Sequence, residues 1–335
     1  MRITRESLLN ITRRRITEKI YHNRHIICVY MTGSMIYKLP FLGGTTDIDL
    51  IFIHDKEPEI EREIIPICDE VHLDISHLSH ERFKKPRTLR TDPWVGSFLC
   101  ENAVQMHDSA HWFEFTQAAV CAQFSKPEYV IQRARPFAEA SREIWRTLNA
   151  NEIAPGPFKL YKYLKSLEYA ANAIVSLSHP PLTERRFLLN FPERAATINR
   201  PGLASGLVDL FTNDSISNDD WSNYIKFWTT SLTTAGKKKD RPERLNPARI
   251  AYYTDAAAIL WDDHPTAALW LMLRIWTQAL CYLSETTTTR KRWEKLCNSL
   301  ELDDENLTQR IPSLDNYLDV VEETIDNWAM ENGIS

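Results

Sequence analysis

The sequence is poor in glycine. Nine glycines among 335 residues fall well under the usual share of about 7%. Three of them, Gly33, Gly43 and Gly44, lie within twelve residues of one another. A chain that concentrates its few glycines marks a place where the backbone turns sharply or approaches another group closely. Residues 33–44 are therefore a candidate functional region.

The sequence also lacks the cysteine patterns of metal sites and secreted scaffolds. Its six cysteines include no CxxC pair and no Cys/His spacing typical of zinc ligands, so we predict neither structural zinc nor a disulfide framework. With no apolar signal segment at the start of the chain, this usage predicts a reducing, cytoplasmic compartment. The longest apolar runs break well before the roughly 18 residues that a transmembrane helix needs, so no membrane span is predicted.

The chain has no net positive charge, and its charged residues are distributed unevenly. The formal net charge of −5 gives no general attraction to nucleic acid. The first 24 residues carry seven arginines and lysines against two glutamates, with apolar residues spaced as in a helix. From Glu301 onward, ten acidic residues face one basic residue, Arg310. That end of the chain would repel a phosphate backbone.

The pattern of secondary structure changes near residue 125. Strand patterns at "HIICVYMTG", "DIDLIFIH", "EVHLDISHL" and "AVQMHD" alternate with helix patterns at "SMIYKLPF", "EPEIEREIIPICD", "DPWVGSFLCEN" and "HWFEFTQAAVCAQF". Afterwards only long helical patterns follow, separated by connectors rich in proline and glycine. We therefore predict an α+β chain of two domains, with a mixed sheet and flanking helices over residues 1–125 and an all-helical domain over residues 126–335.

Two aspartates stand at the start of a strongly apolar strand. Asp47 and Asp49 are two residues apart, so a strand places both carboxylates on one face and turns Ile48 and Leu50 to the other. Like charges so close repel unless a cation lies between them, and Mg²⁺ prefers carboxylate oxygens. Asp74, in "VHLDIS", adds a third carboxylate if its strand lies beside the first. Three such carboxylates can hold two metal ions about 4 Å apart, as in phosphoryl transfer.

A phosphate site is predicted just upstream of these acids. The segment "YMTGSM" ends a predicted strand at Gly33 and Ser34 and opens a short helix. Backbone N–H groups at a glycine turn before a helix bind anions. The order of strand, Gly-Ser, helix, Asp-x-Asp strand and a later strand with a third aspartate thus supplies the parts of a metal–triphosphate site.

This pattern resembles the signature of the DNA polymerase β-like nucleotidyltransferase superfamily. The residues that carry the resemblance are "TGS", then twelve residues from Met35 to Thr46, then "DIDL" and the later "LDI". The similarity covers about the first 125 residues. The helical part is similar only in general organisation to that of bacterial small-molecule members, such as aminoglycoside and lincosamide nucleotidyltransferases.

The resemblance implies an enzyme that transfers a nucleoside monophosphate from an NTP to a hydroxyl group, with Mg²⁺ and with release of pyrophosphate. In related enzymes the helical domain offers a basic residue to the NTP phosphates, and five residues are candidates here: Lys159, Lys162, Lys165, Arg185 and Arg186. A solvated helix face is the alternative for each of them. The resemblance assigns Gly33 and Ser34 to phosphate binding, Asp47, Asp49 and Asp74 to catalysis and to two Mg²⁺ ions, and Lys162 and Arg185 to nucleotide binding.

The sequence leaves the acceptor open. A small molecule is favoured, and RNA or a protein is the alternative. The acidic C-terminal stretch weighs against RNA, whereas the basic first helix and "GKKKDRPER" weigh for it. A nucleotide-responsive regulatory module without turnover is a further alternative. Some small-molecule relatives build their site across a dimer, which leaves a homodimer open as well.

Overall fold

The computed structural model describes residues 4–37, 40–212, 216–284 and 288–334. These residues form an α+β protein that is mostly helical, and this confirms the predicted class. The chain divides into two compact units, Met1–Lys126 and Pro127–Ser335. In chain order, the first unit contains α1 (Arg5–His22), β1 (Ile26–Thr32), β2 (Thr46–His54), β3 (Arg62–Cys68), β4 (Val71–Ser79), α2 (Pro86–Arg90), α3 (Val95–Cys100), β5 (Val104–Asp108) and α4 (Phe113–Cys121).

The five strands of the first unit form one mixed sheet in the order β3-β4-β2-β1-β5. The central pair, β2 and β4, is parallel, and the other neighbours are antiparallel. The parallel pair runs in unbroken register from Thr46 opposite Val71 to His54 opposite Ser79. Each residue on the polar face of β2 therefore has a defined neighbour on β4.

Both faces of this sheet are covered by apolar side chains. On one face, Ile48 and Leu50 of β2 pack with Leu8 and Ile16 of α1. On the other face, Ile53 packs against side chains of the 3-10 turn that follows β4 and of helices α2 to α4. These side chains include Phe83, Leu89, Leu99, Phe113 and Val120. Because side chains alternate along a strand, Asp47 and Asp49 share the second face.

The prediction of a helix at "EPEIEREIIPICD" is wrong. Residues 62–68 form β3, an edge strand that pairs antiparallel with β4. The β-branched run in "REIIPIC" suits a half-buried strand. Pro66 lacks the N–H that a helix interior requires, whereas an edge strand tolerates it. Tertiary pairing with β4 thus decided between two local conformations.

The turn after β1 and the cysteines also differ from expectation. The predicted helix at "SMIYKLPF" is a four-residue 3-10 turn, Gly33–Ile36, and residues 38 and 39 of that segment lie outside the described residues. The predicted absence of a disulfide framework needs correction too, because Cys100 and Cys121 are joined by a disulfide. These cysteines end α3 and α4, which folding brings together, and no local spacing signals the pair.

In the second unit, every secondary-structure element formed by the described residues is a helix or a 3-10 turn, and none is a strand. Residues 267–280 are buried throughout, so the helix that holds them is the centre of the unit. Nowhere in the described chain is a helix both long and apolar enough to cross a membrane. The helices are α5 (Pro127–Asn149), α6 (Pro157–Val175), α7 (Phe187–Thr197), α8 (Gly202–Asp209), α9 (Asn218–Ala235), α10 (Ile250–Asp263), α11 (Pro265–Leu280), α12 (Thr288–Ser299) and α13 (Asp304–Glu331).

Candidate functional site

The glycine turn lies directly against one of the predicted metal ligands. β1 pairs with β2 so that Thr32 is opposite Asp49, and the chain then turns at Gly33, whose φ is +70°. A Cβ atom at Gly33 would lie 1.8 Å from Oδ2 of Asp49. The Asp49 carboxylate therefore occupies the space that any other residue at position 33 would fill. Both the left-handed φ and this close approach require glycine.

Ser34 connects the same turn to the start of β2. Its hydroxyl lies 3.2 Å from the hydroxyl of Thr46, the first residue of β2. Because the turn is a single 3-10 turn, it lacks the aligned peptides that give a longer helix its macrodipole. Any anion bound here would meet the N–H groups of the turn and the Ser34 hydroxyl, without the helix contribution that the sequence predicts.

The acids of β2 have defined neighbours on β4. In the parallel register, Asp47 is opposite His72 and Asp49 is opposite Asp74. The structure thus places the third predicted acid on the strand beside the first two. The sequence places two acids on one face, and the register adds the third acid and the histidine.

Three of these side chains are close enough to share one cation. Single ligand atoms of Asp47, His72 and Asp74 all lie within 4.8 Å of one another, and all three residues are buried. Asp49 is not in this group, and its carboxylate lies over Gly33. The ring of His72 is thus close enough to the two carboxylates to act as a metal ligand.

Arg62 holds Asp74 from the edge strand. Its Nε and Nη2 atoms donate to the two carboxylate oxygens of Asp74 at 2.7 and 2.6 Å. The Asp74 side chain is 2% exposed, whereas Arg62 is 42% exposed. Sequence reasoning missed Arg62, because the segment was assigned to a helix. The isoleucine-rich run "EIIPI" beside Arg62 is the sequence signal that indicates a strand, and a strand prediction there could have identified Arg62.

The donor set fits a divalent cation. Carboxylate oxygens suit Mg²⁺, and an imidazole nitrogen suits transition metals as well. An ionised carboxylate offers about four lone-pair sites, so the two bonds from Arg62 leave acceptor capacity on Asp74. Asp47 and Asp74 are therefore the residues that would hold a cation, with His72 opposite Asp47 and Asp49 opposite Asp74.

A hydrogen-bonded chain of side chains links β2, β4, β3 and α1. Nε2 of His54 lies 2.9 Å from Nδ1 of His77, whose Nε2 lies 3.0 Å from Glu63, and Lys19 donates to the same carboxylate. Burial first, and His77 second, lower the pKa of His54 to about 4. The hydrogen bond from His77 lowers the pKa of Glu63 to about 2, and Lys19 adds to this effect. The lowered pKa of His54 favours its neutral imidazole at neutral pH.

The basic residues predicted to bind nucleotide lie in the second unit. Lys162, on α6, has its Nζ 5.4 Å from the centroid of the Phe158 ring. Arg185 is buried, with its guanidinium 3.4 Å from the centroid of the Tyr252 ring. Lys159 is buried and bonded to Asp304, so packing accounts for it. Through these contacts Arg185 and Lys159 have structural roles, whether or not they also bind a ligand.

Neither known protein families nor curated proteins match this chain when their sequences are compared.

Proposed function

We propose that this protein transfers a nucleoside monophosphate from an NTP to a hydroxyl group of a small molecule. The proposal rests on one observation. The Asp49 carboxylate lies in the space over Gly33, and beside it the ligand atoms of the buried residues Asp47 and Asp74 are close enough to share one metal ion. Placing ionised carboxylates together in a buried position is costly unless a cation compensates them. A turn of N–H groups next to that position suits the phosphates that accompany the cation.

The proposed reaction forms one bond and breaks one. The acceptor oxygen attacks the α-phosphorus, the bond between the α-phosphorus and its bridging oxygen breaks, and pyrophosphate leaves. The hydroxyl proton passes to a carboxylate, the role proposed for Asp74. Two Mg²⁺ ions bound by Asp47, Asp49 and Asp74 would supply charge stabilisation to the phosphate oxygens. Gly33 and Ser34 would bind and orient the phosphates through N–H groups and a hydroxyl.

A second candidate is a nucleotide-binding module without turnover. Arg62 favours it, because a guanidinium already compensates the charge of Asp74. In that case Asp74 serves to hold Arg62, and Arg62 serves to contact an anionic ligand. An enzyme of the same fold that acts on RNA or protein would differ from the first candidate only in its acceptor, so a screen of acceptors distinguishes the two.

The test is a transfer assay with labelled NTPs and a panel of aminoglycosides, lincosamides, tRNA and protein. We expect label transfer to one acceptor class with release of pyrophosphate. The double variant Asp47→Asn with Asp49→Asn should lose transfer and Mg²⁺-dependent NTP binding while remaining folded by circular dichroism. Asp55→Asn is the matched control, because this exposed carboxylate follows β2 and pairs with His25.

The outcomes separate the candidates. NTP binding without transfer to any acceptor supports the regulatory module. If calorimetry detects no Mg²⁺–NTP binding by the wild-type protein, both candidates are wrong. If the double variant transfers label as well as Asp55→Asn does, the chemistry belongs to other residues.

A further inference from the structure

A buried histidine lies beside two of the predicted metal-binding aspartates of the first unit. On β4, His72 is two residues from Asp74, so both side chains point to the same face of the sheet. Across the parallel pair His72 is opposite Asp47, and across the antiparallel pair it is opposite Pro66 of β3. The side chain of a proline has no hydrogen-bonding group. Of these two neighbours, only Asp47 therefore offers the imidazole a polar side chain.

The distances among these three side chains suit a single metal ion. One ring nitrogen of His72 and one carboxylate oxygen from each aspartate all lie within 4.8 Å of one another. Atoms that bind one ion at about 2.1 Å are at most about 4.2 Å apart, so movements on the order of 1 Å would bring all three onto it. His72 is 1% exposed, and Asp47 and Asp74 are 7% and 3% exposed. The group is therefore compact, and it is buried.

An imidazole nitrogen changes which cation such a group favours. Mg²⁺ prefers oxygen ligands in octahedral geometry and usually keeps several of its waters. First-row transition metals accept an imidazole nitrogen together with carboxylate oxygens. Asp49, which would complete a set of oxygen ligands, is not in the group. The nitrogen of His72 therefore adds affinity for a transition metal and adds little for Mg²⁺.

Arg62 changes the balance in the same direction. Its two hydrogen bonds to the oxygens of Asp74 compensate part of the negative charge that this carboxylate offers to a cation. A hard cation such as Mg²⁺ depends on that charge for its binding, whereas a transition metal also gains from the bond to nitrogen. The ion pair therefore weakens Mg²⁺ more than it weakens a transition metal.

We propose that Asp47, His72 and Asp74 bind a first-row transition metal ion, and that His72 is the ligand that selects this ion over Mg²⁺. The inference rests on the proposed function in one respect, since the ion would be one of the two metals of the transfer site, but its binding does not require transfer. Mn²⁺ is the transition metal that suits sites rich in carboxylates. It therefore resembles Mg²⁺ in its oxygen ligands, and a comparison of the two ions tests the contribution of the nitrogen.

The experiment is a titration of the full chain with Mn²⁺, followed by the electron paramagnetic resonance signal of the free ion, without nucleotide and with Mg²⁺ as the competitor. We expect the wild-type protein to bind Mn²⁺ more tightly than Mg²⁺. Loss of an outer partner of a metal ligand lowers affinity by about 10- to 100-fold, so His72→Gln, which removes a ligand itself, should weaken Mn²⁺ binding by at least about tenfold. Mg²⁺ binding should change much less. His25→Gln is the matched control, because His25 is exposed, pairs with Asp55 and is not in the group.

A second measurement does not depend on the folding of His72→Gln. In the wild-type protein and in His25→Gln, pulsed electron paramagnetic resonance of the bound Mn²⁺ should show coupling to an imidazole nitrogen. If His72→Gln folds, its bound Mn²⁺ should lack this coupling. Absence of the coupling in the wild-type protein would overturn the proposal.

The outcomes are distinct from those of the proposed transfer reaction. Mn²⁺ bound through nitrogen by a protein that transfers no label supports this inference and rejects the transfer reaction. Transfer with Mg²⁺ by a protein whose bound Mn²⁺ shows no nitrogen coupling does the reverse. Equal affinities for Mn²⁺ in His72→Gln and His25→Gln, or equal affinities for Mn²⁺ and Mg²⁺ in the wild-type protein, also contradict the inference and leave His72 as a hydrogen-bonding neighbour of the carboxylates.

Discussion

Replacing Gly33 by alanine tests whether the position of Asp49 matters for the site. An alanine Cβ at residue 33 would lie 1.8 Å from Oδ2 and 2.7 Å from Cγ of Asp49. To reach an ordinary contact of 3.4 Å, the carboxylate must move by about 1.6 Å, which is 3.4 less 1.8. Gly33→Ala also places a side chain at a φ of +70°.

Two energies follow from this geometry. A left-handed backbone costs a non-glycine residue about 1–2 kcal/mol, so the free energy of unfolding should fall by about that amount. A displacement of about 1 Å in a reacting group can reduce a rate by about 100-fold, equivalent to about 2.7 kcal/mol of transition-state stabilisation. We therefore expect Gly33→Ala to lose about two orders of magnitude in kcat/KM for transfer and to bind Mg²⁺–NTP more weakly.

Gly44 offers a matched control for the backbone cost. Its φ is +74°, and a Cβ there would meet nothing within 4 Å. Gly44→Ala should lose similar stability in urea denaturation but keep Mg²⁺–NTP binding in calorimetry. Equal Mg²⁺–NTP binding and equal transfer by the two variants would refute the reasoning, because the position of Asp49 would then be irrelevant to the ligand.

Two further predictions concern charges around the same sheet. Arg62→Gln removes both hydrogen bonds to the buried Asp74 and should lower the free energy of unfolding by about 2–3 kcal/mol in EDTA. In urea denaturation, Mg²⁺ should restore part of the lost stability. An equal loss of stability with and without Mg²⁺ would argue against a metal at Asp74. His54 has a folded-state pKa of about 4, against 6.5 ordinarily, so between these values the unfolded state binds more protons and stability falls as pH falls. His54→Gln should flatten that dependence in denaturation curves from pH 7 to pH 4, and an unchanged slope would show that other groups cause it.

Local chemistry explains the parts of the site that the sequence predicted. Residues two apart on a strand share a face, so the common side of Asp47 and Asp49 follows from "DID" alone. The concentration of glycine predicts an unusual backbone at residue 33, and the structure supplies the reason in the Asp49 carboxylate above it. The functions assigned to these residues remain predictions, because residue type and geometry do not identify a ligand.

The wrong helix prediction shows that local sequence patterns do not always distinguish a helix from a strand. The segment around Ile64, Ile65 and Ile67 carries an acidic start typical of a helix and β-branched residues typical of a strand. A short apolar run does not distinguish the two conformations. Hydrogen bonds to β4 stabilise the strand, and they depend on residues from a later part of the chain.

By itself, the sequence determined the α+β class, the alternation that puts two carboxylates together, and the glycine next to them, because each depends on residues within a few positions of one another. Only the tertiary structure decided which side chains compensate the charges. Arg62 reaches Asp74 across twelve positions, Cys100 joins Cys121 across 21, and Arg274 meets Glu168 across 106. No local spacing encodes such pairs, since each forms only after strands or helices from distant segments have packed.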